Sequence, residues 1–320
     1  MITIADVKDA QQRIAAHVRR TPLMQADAMG SARIWLKAEF MQKCGVFKPR
    51  GAFNRQLAAL ERGELDRTIG IVTASGGNAG LANAFAAASL GVPATVFVPE
   101  TAPQVKVNRL KGYGARVQQV GAEYAEAYEA AQEYVAASGA LFCHAYDQPE
   151  IAAGAGVIGL EIIEDLPEVD TIIVAVGGGG LYAGIAAAAH AHDVRMVTVE
   201  PTSIPTLHAA LEAGRPVDIA VSGIAADSLG ARRIGDEAFA IASAVNPVSV
   251  LVEDAAMVEA RDALWNDYRV PAEYGAAAAY AALTSGLYRP SEGERIAVVV
   301  CGANTDPSTL GSSAVGVSAS

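Results

Sequence analysis

The chain has 320 residues, enough for one large domain or two domains of ordinary size, with 52% hydrophobic and only 6% aromatic residues. Its cores should therefore be packed mainly from small aliphatic side chains. The formal net charge of -11, and a sequence with no long lysine or arginine run, argue against nucleic acid as a partner.

The amino terminus and the cysteines exclude further classes of protein. The first 20 residues are charged, have helical periodicity and contain no apolar signal core, and no stretch of the sequence approaches the ~20 apolar residues of a membrane span. Cys44, Cys143 and Cys301 have neither zinc-site spacing nor the density of a disulfide scaffold. We therefore expect a cytoplasmic protein that is neither exported nor bound to a membrane.

Eight short β-branched segments alternate with alanine-rich helical stretches along the chain. They cover residues 69–74, 94–99, 115–120, 141–145, 170–177, 194–201, 248–254 and 295–302. This alternation predicts an α/β fold with mostly parallel, buried strands. Because the strands form two groups, we predict two sheets and two domains. The small domain covers residues 49–145, and the large domain combines 1–48 with 146–320 and ends in a disordered tail at 310–320.

The turn after the first predicted strand has the sequence SGGNAG and begins at Ser75. Exposed amides at the start of a helix, beside a hydroxyl and a carboxamide, suit a small carboxylate or phosphate. An ordinary strand-to-helix turn capped by Ser75 or Asn78 explains the same residues equally well.

A second turn, after the strand at 170–177, contains Gly177, Gly178, Gly179 and Gly180 in succession. Residues without side chains let a backbone close around a phosphate, and four glycines cost considerable chain entropy if they only turn a corner. We therefore favour an anion site. The turn also resembles a loose dinucleotide loop, with Glu200 the one acidic residue that ends the next strand, whereas a P-loop is excluded because no GK[ST] follows a glycine pair.

Lys48 lies in the apolar, glycine-flanked segment GVFKPRGAF. Burial beside Phe47 would lower the pKa of Lys48 and provide a nucleophilic amine. A phosphate-binding turn, a buried lysine and a carboxylate-binding turn together point to pyridoxal phosphate. Cys301, at the end of the last predicted strand, is on its own explained by burial as a small hydrophobic residue.

These motifs, in this order, resemble the fold type II pyridoxal-phosphate enzymes, in particular the serine/threonine dehydratases, which are ammonia-lyases. The resemblance runs from RTPL at 20–23 to CGANTD at 301–306. It implies a tryptophan synthase β-like fold with two mostly parallel sheets, helices on both faces, and a homodimer. It implies the following cofactor-binding residues: Lys48 as the Schiff-base lysine, Phe47 against the ring, Asn78 on the ring hydroxyl, Gly177, Gly178, Gly179 and Gly180 around the phosphate, and Cys301 facing the pyridine nitrogen.

The resemblance further implies that Ser75 and the amides around Gly76 and Gly77, with Asn78, bind the substrate. The expected reaction is α,β-elimination from a β-hydroxy amino acid such as L-serine or L-threonine, giving a 2-keto acid and ammonia, with Lys48 as the base. An amino-acid racemase, a β-replacement synthase and a non-catalytic, Rossmann-like nucleotide-binding protein are the alternatives. Gly76 stands where serine racemases of this family carry serine, which ranks dehydration above racemisation.

One further segment resembles a cation site of the family. Glu200 matches its glutamate, but Thr206 replaces the aspartate of the members that bind a divalent metal. A monovalent cation held by Glu200 and the carbonyls near Leu229 and Ala231 is one interpretation, and a plain strand-end carboxylate is the other. In the AEYGAAAAY segment the resemblance places Glu273 near the ring edge and leaves the role of the following tyrosine open.

Overall fold

The computed structural model describes residues 1–311. Residues 312–320, which hold most of the predicted tail, lie outside the described residues. The described part contains these strands: β1 (Leu23–Gln25), β2 (Arg33–Lys37), β3 (Ile71–Ala74), β4 (Ala94–Val98), β5 (Arg116–Gln119), β6 (Leu141–Phe142), β7 (Thr171–Ala175), β8 (Arg195–Pro201), β9 (Val248–Val252) and β10 (Arg295–Val299).

Helices separate most of these strands. They are α1 (Ile4–Ile14), α2 (Pro49–Glu61), α3 (Asn78–Ser89), α4 (Gln104–Gly112), α5 (Tyr124–Ser138), α6 (Pro149–Asp165), α7 (Gly180–His190), α8 (Thr206–Ala213), α9 (Ala226–Leu229), α10 (Asp236–Val245), α11 (Asp254–Tyr268) and α12 (Tyr274–Thr284). Short 3-10 helices lie at Glu39–Met41, Lys43–Gly45 and Pro307–Thr309. Within residues 1–311, we find no helix whose length and apolar character would let it cross a membrane.

Two sheets organise the molecule, as the predicted fold class requires. The larger sheet has the order β1-β2-β10-β7-β8-β9, and all its pairings are parallel except that of β1 with β2. The smaller sheet has the order β5-β4-β3-β6 and is parallel throughout. In parallel strands the carboxyl ends meet at one edge, so the turns that follow β3 and β6 adjoin, as do those that follow β7 and β10.

All eight predicted strands are present, each shorter than its β-branched segment. The prediction missed β1 and β2, which precede them in the chain. β1 has only three residues, and β2 has a charged residue at each end, so neither shows the apolar run of a buried strand. β2 nonetheless lies inside the sheet, between β1 and β10. The charge of Lys37 at its end is tolerated there because this side chain is buried in an ion pair.

Tight helix packing places the segments that carry the site. A Cβ atom at Gly51 of α2 would lie 2.6 Å from the carbonyl oxygen of Ile151 in α6, and one at Gly154 of α6 would lie 2.5 Å from that of Arg50. On its other side α6 approaches α7 as closely, since a Cβ at Gly184 would lie 2.1 Å from the Ala152 carbonyl. The start of α2 and the start of α7 are therefore held at fixed positions on one central helix. The boundaries of the two domains stay a prediction.

Candidate active site

A cavity of about 690 Å³ lies between the two sheets, at the carboxyl ends of β3, β6, β7 and β10. It brings together nearly all the residues that the sequence singled out, although they are spread over more than 250 positions. Glu200 is the exception and does not line it. The predicted site residues that line the cavity are Phe47, Lys48, Ser75, Gly76, Gly77, Asn78, Gly177, Gly178, Gly179, Gly180, Leu229, Ala231, Glu273 and Cys301.

Lys48 precedes α2, whose first residue, Pro49, has no amide hydrogen to lose at a helix start. The Phe47 amide donates to the Cys301 carbonyl at 3.0 Å, which ties the lysine to the loop after β10. The Lys48 amine donates to the Ala145 carbonyl at 3.1 Å and lies 5.0 Å from the centre of the Phe47 ring. Desolvation lowers the pKa of Lys48, as the sequence predicted, although nearby Cys301 and Glu273 act in the opposite direction.

A buried ionic cluster holds the lysine segment from behind. Arg50 is fully buried and donates two hydrogen bonds of 2.9 Å to Glu39 and two of 2.8 Å to Glu161. The Lys37 amine completes the cluster by donating to Glu161 at 2.6 Å. Two cations and two carboxylates balance, so each buried charge has a partner. Because Arg50 is two residues from Lys48, the cluster fixes where the reactive amine can lie.

The tetraglycine turn between β7 and α7 is enclosed by its neighbours. A Cβ atom at Gly178 would lie 2.3 Å from the Tyr146 ring, and one at Gly180 would lie 2.5 Å from the Tyr146 carbonyl oxygen. Gly179 has φ +89, a conformation that residues with side chains rarely adopt. Among residues 1–311 the amides of Gly178 and Gly179 meet no hydrogen-bond acceptor. Free amides in front of a helix start are the donors that a phosphate group requires.

The Ser75 turn carries a different set of donors. The Gly77 amide donates to the Ser75 hydroxyl oxygen at 3.3 Å, and Asn78 begins α3. The Asn78 amide nitrogen lies 3.0 and 3.1 Å from the two carboxyl oxygens of Glu273, and its oxygen accepts from Asn304 at 2.8 Å. Asn78, which was expected at the ring hydroxyl, is thus bound to Glu273 in this structure.

Two buried titratable groups face Lys48 across the cavity. Glu273 is 8% exposed, and burial raises its pKa to about 7 against the opposing hydrogen bond from Asn78. Burial also raises the pKa of the Cys301 thiol, and the Glu273 carboxyl group adds to this effect. The Cys301 thiol is therefore uncharged at neutral pH, whereas the Glu273 carboxyl group gains or loses its proton near neutral pH. The neighbouring Tyr274 does not line the cavity, because its ring stacks on Arg261 with a 4.6 Å separation.

Glu200 lies at the end of β8 with its carboxyl group buried. It accepts hydrogen bonds from the Thr206 hydroxyl at 2.9 Å and from the amides of Leu207 and His208 at 2.7 and 2.8 Å. These donors begin α8, so the carboxyl group caps that helix. Burial raises the pKa of Glu200 to about 7.

The predicted cation site is only partly assembled around the cavity. Leu229 and Ala231 line it and Glu200 does not. Residues 1–311 contain no group of three or more histidine, cysteine, aspartate or glutamate side chains that could hold a metal ion. A monovalent cation would also use carbonyl oxygens, and it stays a prediction.

Sequence reasoning missed several residues that line the cavity. Lys106 of α4 and Asp227 of α9 both line the cavity and form an ion pair, although they are 121 positions apart. No local sequence pattern predicts a contact over such a distance. His144 and Tyr146 follow β6, the shortest strand. The sequence did contain a signal for His144 and Tyr146, because the residues that follow a parallel strand lie where ligands bind, as Ser75 does after β3.

The arrangement fits pyridoxal phosphate. Lys48 offers an amine with a lowered pKa to the aldehyde, and the free amides of the tetraglycine turn offer donors to the phosphate. Phe47 and the buried Cys301 enclose the space between the two.

Comparison with known proteins leads to the same family. Residues 14–302 match the model of the family described as pyridoxal-phosphate dependent enzymes. An L-threonine ammonia-lyase of Thermotoga maritima is 36% identical over 96% of this chain and 76% of its own length. The catabolic L-threonine dehydratase of Escherichia coli is 33% identical over 97% of this chain and 95% of its own.

Solved structures give the same result for the fold. A serine racemase of maize superposes with a TM-score of 0.89 at 33% identity and covers 96% of this chain and 95% of its own. Such agreement confirms the predicted fold type with its two sheets. The match over residues 14–302 and these similarities show that the chain belongs to the family of pyridoxal-phosphate dependent enzymes.

Proposed function

We propose that this enzyme is an ammonia-lyase that carries out α,β-elimination on a β-hydroxy amino acid such as L-serine or L-threonine. The products are a 2-keto acid and ammonia. The observation that carries the proposal is the joint placement in one cavity of the Lys48 amine, the tetraglycine turn, the neutral Cys301 thiol and the Ser75 turn. The predicted reaction class is confirmed by the relatives, which are named as threonine ammonia-lyase and threonine dehydratase.

Each of the residues has a distinct task in this proposal. Bound pyridoxal phosphate supplies an aldehyde and an electron sink. The Lys48 amine would hold the aldehyde and would act as the base for the α-proton of the substrate, since desolvation lowers its pKa. The Ser75 hydroxyl and nearby amides hold the substrate carboxylate. Phe47 would pack on the cofactor ring, Asn78 would orient it, and the amides of the tetraglycine turn would hold its phosphate.

Cys301 favours elimination over slower reactions at the same α-carbon. Cys301 would be the residue at the ring nitrogen, and its buried neutral thiol would place no negative charge there, so the ring would withdraw fewer electrons than it would beside a carboxylate. Such a ring would favour early loss of the β-hydroxyl over return of the α-proton.

Racemisation is the second candidate, because serine racemases are among the relatives. The serine racemase of Oryza sativa subsp. indica is 32% identical over 96% of this chain. Gly76 nevertheless gives this chain no hydroxyl at the position where racemases of the family carry serine. We therefore place elimination first.

The cellular setting proposed here follows the family resemblance. We propose a cytoplasmic homodimer, with an amino acid as its small-molecule partner. Glu200, with the carbonyls near Leu229 and Ala231, is proposed to bind a monovalent cation, and exchange of potassium for tetramethylammonium tests this by a change in activity and in melting temperature.

Lys48→Ala tests the proposed function directly. We expect the wild-type protein to bind pyridoxal phosphate with a visible absorption band that shifts on addition of L-serine or L-threonine, and to release keto acid. The variant should lack the lysine-linked band and lose activity by about 1,000-fold or more, because it removes both the covalent anchor and the base. Lys43→Ala is the matched control, since Lys43 does not line the cavity.

Two outcomes would contradict the proposal. A wild-type protein that binds the cofactor but releases no keto acid from any β-hydroxy amino acid would refute elimination. Full activity in Lys48→Ala would refute the assigned role of the lysine. Keto acid that forms only when a second nucleophilic substrate is omitted would instead identify a β-replacement enzyme.

A further inference from the structure

His144 lies beside the Ser75 turn at the edge of the smaller sheet. β6 ends at Phe142, and the Cys143 amide donates to the Val72 carbonyl of β3 at 2.9 Å. His144 therefore follows β6 at the level where β3 runs out into Ser75. Both side chains line the cavity. The roles proposed above leave His144 without a task.

The hydrogen bonds of His144 fix which ring nitrogen carries the proton. Its Nδ1 atom accepts from the backbone amides of Tyr146 at 3.2 Å and Asp147 at 2.8 Å. An accepting ring nitrogen has no hydrogen, so the proton of the neutral ring lies on Nε2. Burial lowers the pKa of His144 and the nearby Lys48 cation adds to this, whereas Asp147 opposes it.

Aromatic neighbours hold the ring of His144 in place. The Tyr146 ring meets it edge-on at a centroid distance of 4.7 Å, and the rings of Phe142 and Tyr128 lie at 6.1 and 6.2 Å. The Nε2 atom of His144 has no hydrogen-bond partner among residues 1–311. His144, which lines the cavity and is half-buried, thus offers a neutral N–H donor of fixed tautomer and restrained orientation.

The surroundings of this donor indicate the group that it binds. The Lys48 amine donates a hydrogen bond to the carbonyl of Ala145 at 3.1 Å, and Ala145 is the residue that directly follows His144. Ser75 and Gly76 line the same cavity. A carboxylate has about four lone-pair sites and can therefore accept hydrogen bonds from several neutral donors at once.

We propose that His144 is a substrate-binding residue whose Nε2–H donates to the carboxylate of the amino-acid substrate, together with Ser75. The inference rests on the proposed function, which supplies an amino acid as the substrate. Because His144 holds a carboxylate and takes no part in moving protons, its loss should weaken binding much more than it slows turnover.

Two substitutions separate the donor from the acceptor of this histidine. His144→Asn places a carbonyl oxygen near the Nδ1 position, where it can accept from Tyr146 and Asp147, but provides no donor at the Nε2 position. His144→Gln places a donor near Nε2 and provides no acceptor near Nδ1. The exposed His192, converted to asparagine, is the matched control.

For His144→Asn we expect the KM for L-serine or L-threonine to rise about 10-fold, since a hydrogen bond to a charged group is lost, while kcat stays within about threefold. The dissociation constant for glycine, measured by calorimetry with cofactor-loaded protein, should rise by the same factor. His144→Gln should recover most of this affinity and melt at a lower temperature. His192→Asn should match the wild type in every measurement.

The proposal is overturned if His144→Asn binds glycine and substrate within twofold of the wild type. It is also overturned if the asparagine and glutamine variants weaken binding equally, because the shared effect would then come from the loop. If His144→Asn does not fold, His144→Phe replaces it, and wild-type glycine affinity in that variant has the same meaning. Glycine has no leaving group, so its binding tests His144 even if the enzyme releases no keto acid.

Discussion

Two turns with consecutive glycines line the same cavity, and their surroundings differ. In the tetraglycine turn, a Cβ atom at any of the four glycines would come within 2.3 to 3.0 Å of an atom of another segment. In the Ser75 turn, a Cβ at Gly76 would lie 3.4 Å from Val98, and one at Gly77 would lie 4.0 Å from the nearest atom. The first turn is closed by packing at all four glycines, whereas the second leaves room for side chains at Gly76 and Gly77 and is closed only at Gly80, inside α3.

This difference separates two uses of glycine in one site. The tetraglycine turn needs glycine because the Tyr146 ring and the loop before α10 pack directly against its backbone. This close packing leaves the backbone amides of the turn grouped together. The Ser75 turn is open toward the cavity, which suits the part of the site that must admit and release a substrate. The closed turn should therefore be sensitive to small substitutions that the open turn tolerates.

Gly179→Ala should have the largest effect among such substitutions. The residue has φ +89, and its new Cβ atom would lie 2.4 Å from Ala238 and 2.6 Å from Ile234. Overpacking and an unfavourable backbone together should lower the free energy of unfolding by about 2–4 kcal/mol. Urea denaturation measures this loss, and titration with pyridoxal phosphate should show weaker cofactor binding.

Gly77→Ala is the matched control in the open turn. Its Cβ would meet no atom closer than 4.0 Å, so we expect a change in unfolding free energy below about 1 kcal/mol. Equal destabilisation of the two variants would show that the distinction between a closed and an open turn is wrong.

A pH effect of intermediate size should arise at the open turn, where Asn78 holds Glu273. The pKa of Glu273 is raised to about 7, so the folded state binds its proton more tightly than the unfolded state. The contribution of Glu273 to the free energy of unfolding is present at low pH, and about 2–3 kcal/mol of it is lost as the pH rises toward 7. Glu273→Gln cannot lose a proton, so its advantage over the wild type should grow by that amount between pH 4.5 and 8.

The measurement compares unfolding free energies of the two proteins without cofactor at both pH values. Glu200, whose pKa is raised to the same value, is present in both and cancels in the difference. A difference that does not change with pH would mean that Glu273 titrates in its ordinary range.

Gly76→Ser should have the smallest effect on stability and the most informative effect on chemistry. The contact of its Cβ with Val98 at 3.4 Å is ordinary, so the unfolding free energy should change by less than about 1 kcal/mol. The new hydroxyl stands at the position where the family resemblance implies a serine in racemases. We expect D-serine to appear from L-serine, measured by chiral chromatography, with Gly76→Ala as the control that lacks the hydroxyl.

If Gly76→Ser and Gly76→Ala form the same amount of D-serine, a hydroxyl at this position does not add racemisation. A large loss of stability in both variants would instead show that the Ser75 turn is as tightly enclosed as the tetraglycine turn.

Much of this site could be predicted from local sequence. The eight β-branched segments, the SGGNAG and tetraglycine turns and the GVFKPRGAF segment each have a pattern that a few neighbouring residues determine. The order of strand and helix also predicts parallel sheets, whose strand ends gather the turns around one cavity. Lys48 and the four glycines were singled out in this way, whereas the role of Cys301 is implied only by the family resemblance.

Other features depend on contacts between distant segments. Glu161 meets Arg50 across 111 positions, and Glu273 meets Asn78 across 195, so no local pattern announces either pair. The proton on Nε2 of His144 depends on where two backbone amides point. The sequence by itself determined most of the strands, the two glycine turns and the apolar segment that holds Lys48, because these follow from local spacing. Only the tertiary structure decided which charges are paired and which donors remain free, because desolvation and hydrogen bonding depend on the packing of the whole chain.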